Sequence, residues 1–174
     1  MKMPRDILTL IIYLLVTSSF TSIDKGSSEY IRLQQLEQRA LQKAIVKTYV
    51  YDLTSRKDCN KTKIKYLGIV HTKQGKGFKI LTVFFVFSAS ATCHGTSSIK
   101  IFDLNNKYVG EYYVGMPDAL PDMLLKNKLL YLDIPEGCNL RKGVQINLEY
   151  GLPKTLFIPC SKAGGYLYNF NSGS

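Results

Sequence analysis

Tryptophan is absent from this chain and histidine occurs only twice, so few of the usual catalytic side chains are on offer. No Cys-x-x-Cys occurs, which excludes both a thioredoxin-like redox pair and a zinc ribbon. Neither a Gly-x-Ser-x-Gly nucleophile elbow nor a glycine-rich phosphate loop is present. No segment repeats, and strands do not alternate with helices in a βαβ pattern, so a doubly wound nucleotide-binding fold is not expected. The apolar run Ile7 to Val16 is too short to cross a bilayer of about 30 Å comfortably as a permanent helix.

That run is informative in another way. Lys2 and Arg5 precede it, and the small polar residues Thr17, Ser18, Ser19, Thr21 and Ser22 follow. A basic start, a short apolar stretch and small residues are the pattern of a secretory signal peptide over residues 1–22. Asp6 is unusual in such a start, and cleavage sites after Ser18, Ser19 and Ser22 all remain open. No cysteine follows until Cys59, which excludes a lipoprotein anchor; an uncleaved N-terminal anchor is the alternative. The expected location is periplasmic or secreted, with no transmembrane segment after cleavage.

Removing residues 1–22 leaves one domain's worth of chain, and its 45% apolar content argues against disorder. Four cysteines in an exported domain read as disulfides: Cys59, Cys93, Cys138 and Cys160. Cys138 and Cys160 bracket one predicted hairpin, which favours the pairs Cys138–Cys160 and Cys59–Cys93.

Residues 23–28 read as a flexible leader. Glu29 to Lys47 has helical spacing, with Ile31, Leu33, Leu36, Ala40, Leu41, Ala44 and Ile45 on one side and Glu37 among the polar residues opposite. Beyond it the period changes to two. Strands are predicted at 46–53, 64–72, 77–87, 98–103, 108–114, 128–134, 144–150, 154–158 and 165–170. Val144, Ile146, Leu148 and Tyr150 are expected to point inward. Ser88 to Ser98 reads as a polar loop and Met116 to Asp122 as a proline-broken one. Residues 29–170 therefore form a single disulfide-stapled, mostly β (α+β) domain, and 171–174 a tail. The expected architecture is an antiparallel meander of about eight strands, a sandwich or partial barrel with the helix packed on it.

The formal charge is +10, and eight of the basic residues fall between 56 and 79: Arg56, Lys57, Lys61, Lys63, Lys65, Lys73, Lys76 and Lys79. Such a segment attracts polyanions, an acidic glycan or an envelope surface, unless it is merely solvated. Lysines give point charges without bidentate readout and Arg56 is the one arginine of the segment, which argues against sequence-specific nucleic-acid recognition. Asn60-Lys61-Thr62 is a glycosylation sequon that has meaning only in a eukaryotic host.

The loop serines and Cys93, with His71 or His94, are the only nucleophile–base pairing on offer. Asp118 and Asp122 are too few for a calcium loop. The chain is thus expected not to be an enzyme, with no catalytic or metal residue and no cofactor. The leading expectation is an exported binding module, an inhibitor or immunity-type protein acting by protein–protein docking. A polyanion or envelope-surface binder using 56–79 and a small hydrolase using 88–98 are the alternatives.

Overall fold

A computed structural model describes residues 25–53, 59, 61–133 and 136–173. The expected signal peptide lies outside the described residues, as do Arg56, Lys57 and Asn60. Among the described residues helix α1 (Lys25–Lys43) is followed by ten strands: β1 (Thr48–Tyr51), β2 (Thr62–His71), β3 (Gly77–Ala89), β4 (Thr92–Asp103), β5 (Tyr108–Tyr113), β6 (Met123–Leu125), β7 (Lys128–Tyr131), β8 (Val144–Asn147), β9 (Thr155–Ser161) and β10 (Gly164–Ser172). A 3-10 turn spans Pro117–Ala119.

The strands form two antiparallel sheets: a seven-stranded one ordered β1-β2-β3-β4-β5-β10-β9, and a three-stranded one ordered β6-β7-β8. Neither closes into a barrel. Helix α1 packs on one side of the large sheet and the small sheet on the other, so the domain has three layers and two cores. β3 is apolar on both sides because both are covered. Leu81, Val83 and Phe85 enter the helix-side core, while Ile80 enters the core beneath the small sheet.

The helix begins at Lys25, four residues before the expected start, and stops at Lys43. There Ala44 adopts a left-handed conformation (φ 48°) and its N–H donates to the Ala40 carbonyl at 3.1 Å, an αL cap. Ile45 therefore leaves the helix and is exposed, as is Ile31, contrary to the predicted apolar side. The buried stripe instead runs through Glu29, Leu33, Leu36, Glu37, Ala40 and Leu41.

Two further expectations change. Residues 88–98 are not a loop: β3 and β4 continue through them to a two-residue turn at Ser90 and Ala91, both with positive φ (46° and 64°). That is the backbone of a primed hairpin turn, built here without the glycine or asparagine that would have announced it. Tyr150, expected to point inward, is exposed and covers Lys73 instead.

The meander also breaks after β5. The chain leaves to build β6–β8, then returns through β9 so that β10 pairs with both β9 and β5. Gly110 makes that return pairing geometrically acceptable. It is buried at φ 157°, and a Cβ there would meet the Asn171 carbonyl oxygen and Phe170 Cζ at 2.6 Å. Because backbone is in the way, the clash cannot be relieved by one rotamer. Gly110→Ala is therefore expected to cost about 1–3 kcal/mol. It should also remove hydrogen-exchange protection from β10 while the β2–β3 amides keep theirs.

Candidate functional site

The six described basic residues of the 56–79 segment lie on two faces and at both ends of the β2–β3 hairpin and so do not form one patch. Lys61 precedes β2. Lys63 and Lys65 point away from the helix, and Lys65 Nζ donates to the Asp122 carbonyl at 2.5 Å. Lys73 and Lys76 occupy the opposite end of the ten-residue strand, roughly 30 Å away. Lys73 contacts Glu149 at 3.4 Å and donates to the Tyr150 hydroxyl at 2.9 Å, while its Nζ lies 4.5 Å from that ring's centre. Lys79 points to the helix side and donates to Asn106 Oδ1 at 2.5 Å.

Cys59 is bonded to Cys93 and Cys138 to Cys160, the favoured pairs, so Cys93 holds no free thiol. His71 and His94 pair with Gly77 and Phe87 of β3, which puts them roughly 30 Å apart along the sheet. Asn127 brackets the His71 backbone, and His94 contacts Thr92 Oγ1 at 2.7 Å. Asp118 is exposed in the 3-10 turn. The Asp122 carboxylate accepts the backbone N–H groups of Leu132 and Asp133. Among the described residues no group of three His, Cys, Asp or Glu side chains is arranged to hold a metal ion.

Two features of the helix side remain. The first is an uncovered half of the large sheet. Helix α1 packs mainly on β2 and β3 and reaches β4 through the Glu37–Lys100 pair, while Phe157 of β9 and Leu167, Asn169 and Asn171 of β10 are exposed. Side chains alternate along a strand, so those residues of β9 and β10 whose neighbours enter the opposite core point out here. Leu167 and Phe157 sit directly opposite each other on β10 and β9, and are 68% and 53% exposed. Tyr113 of β5 points to the same side and is 54% exposed.

The second is a groove of about 760 Å³ between α1 and the β4–β5 face. Its floor is an ion pair: Lys100 Nζ donates to Glu37 Oε1 at 2.8 Å, with both residues buried. Cross-strand pairing sets Glu111 directly beside Lys100. Burial raises the Glu37 carboxyl above its ordinary value despite the pull of Lys100. Burial pulls the Lys100 ammonium down, but the Glu37 and Glu111 carboxylates outweigh it and hold that pKa above its ordinary value. Burial likewise raises the Tyr108 hydroxyl, reinforced by Glu111, to which it donates a hydrogen bond. Sequence reasoning put Glu37 on the outer side of the helix. The available signal was its i, i+4 relation to both Leu33 and Leu41, which places all three on one stripe.

No protein family, curated protein or solved structure matches this chain. No described helix is long and apolar enough to cross a membrane.

Proposed function

We propose that this protein is an exported, disulfide-stapled binding module that docks an acidic protein partner on the uncovered half of its large sheet. The observation that carries the reading is the exposed Leu167–Phe157 cross-strand pair with Tyr113 on the same side. Large apolar and aromatic side chains of this kind anchor the centres of interfaces. Lys154 and Lys162 flank β9 at its two ends, and the chain carries +10, so an acidic rim on the partner is complementary and would be steered in. The two disulfides support export, since such bonds persist in oxidising compartments. The polyanion reading draws less support, because Lys65, Lys73 and Lys79 are already engaged by neighbouring groups. The hydrolase reading also draws less support, because Cys93 is disulfide-bonded and the Thr92–His94 contact lies at an exposed hairpin end.

The test compares immobilised wild type with Phe157→Asp/Leu167→Asp in the exported-protein fraction of the source organism. Both residues are exposed, so the variant is expected to fold with an almost unchanged Tm. One acidic protein should stay on the wild type through a high-salt wash, with at least tenfold less on the variant. Equal retention by both proteins, or complete loss from the wild type at high salt, would overturn the proposal, because buried apolar contacts survive screening.

A further inference from the structure

The groove between α1 and the β4–β5 face has a chemistry of its own, separate from the docking surface. Its volume of about 760 Å³ is within the range of sites that enclose small ligands. Two walls carry exposed aromatic rings: Tyr30 from the helix and Tyr108 from β5. Tyr108 is braced edge-on by buried Phe102, with ring centres 5.6 Å apart. The helix wall adds four carboxamides, Gln34, Gln35, Gln38 and Gln42. Each carboxamide both donates and accepts.

The formal charges cancel: Glu37 and Glu111 oppose Lys100 and Arg39. A small ion of either sign therefore gains little from entering. On the β4–β5 side, by contrast, a carboxylate acceptor stands beside an ammonium donor, Glu111 next to Lys100. Two adjacent hydroxyls can use both at once, one donating and the other accepting. Aromatic walls meanwhile suit a ring with apolar C–H faces. Apolar faces and a hydroxyl-bearing edge are the properties of a sugar ring.

We infer that this groove is a binding site for a neutral oligosaccharide, with Tyr30 and Tyr108 against the ring faces and Gln34, Gln38, Lys100 and Glu111 on the hydroxyls. Gln38 already donates Nε2 to the Asn106 carbonyl at 3.1 Å, which fixes its amide and leaves Oε1 as an acceptor.

The test is an amide-resolved NMR titration of the full folded domain with maltotriose, cellotriose and chitotriose, each to about 10 mM, enough to reveal a Kd on the order of 1 mM. Thymidine and spermidine serve as stacking and cationic competitors. At least one trisaccharide should shift the amides of Gln34, Gln38 and Glu111. Tyr108→Ala should weaken that binding tenfold or more, and Gln34→Ala, an exposed substitution that cannot compromise folding, about threefold. Phe157→Asp/Leu167→Asp should leave it unchanged, which separates this site from the docking surface. The inference is overturned if no trisaccharide binds, if thymidine or spermidine binds more tightly than all three, or if Gln34→Ala and Tyr108→Ala leave the affinity untouched.

Discussion

Lys100→Met is expected to destabilise the fold by about 3–5 kcal/mol at pH 8, because it strands the Glu37 carboxylate in a buried site. The side chains of the pair are only 9% and 5% exposed, so water replaces the missing ammonium poorly. Replacing both residues, Glu37→Leu/Lys100→Met, should recover most of the loss, since two apolar groups of similar volume need no solvation. The pH dependence gives a second readout. Burial already raises Glu37 above the ordinary carboxyl value of 4.5, and losing Lys100 removes the opposing attraction. A raised folded-state pKa favours proton uptake by the folded protein. Its contribution is therefore complete below the unfolded value and is lost as pH rises through the folded one. The deficit of Lys100→Met should accordingly shrink as pH falls from 8 toward 4.5. Glu111, on the neighbouring strand, reinforces that direction by adding negative charge. Urea unfolding of the two variants at pH 5 and pH 8 measures all of this. A deficit that stays constant or grows on acidification would mean that Glu37 is not the stranded group.

The pair also marks where sequence reasoning reaches its limit. Local chemistry was legible: Gly75 sits at φ 79° in the β2–β3 turn and Asn106 at φ 66° in the β4–β5 turn, as residues that tolerate that conformation should. The favoured cysteine pairs form, although the predicted hairpin that favoured them does not, since β8 pairs with β7 and β9 with β10. The continuous apolar run of β3 required cover on both sides. Turns without a chemical marker were not legible. Ser90-Ala91 carries none, and Lys126-Asn127, both at positive φ, turns β6 back onto β7 where only the second strand, 128–134, is predicted. Longer-range choices were hidden too. Nothing local says that β10 inserts between β5 and β9, or that the helix stops short of β5 and leaves Leu167 and Phe157 in solvent. Both follow from how far each layer extends over the next. The proposed docking surface and groove arise from that incomplete cover, which is why no motif announces either.

Loss of both disulfides is expected to bring the domain close to unfolding at 37 °C. In the chain-entropy picture, bonds closing separations of 34 and 22 residues contribute about 3–4 kcal/mol each. Together they rival the total stability of a domain of this size, about 5–15 kcal/mol. The same picture makes the two nearly equivalent, differing by only about 0.4 kcal/mol for the two loop lengths. A larger difference between Cys59→Ser/Cys93→Ser and Cys138→Ser/Cys160→Ser would therefore report on folded-state contacts. The second pair should prove the costlier. Cys138 is more buried than Cys59, and the Leu140 N–H donates to the Cys160 carbonyl at 3.0 Å, tying the β7–β8 connection to the free side of β9. Cys93 opens an exposed hairpin end instead. Urea titrations of both double variants, and of wild type with and without reductant, decide the matter. A loss under 1 kcal/mol on full reduction would mean that the two cores alone sustain the fold. The oxidising compartment would then not be a condition of its stability, and the disulfides would no longer support export.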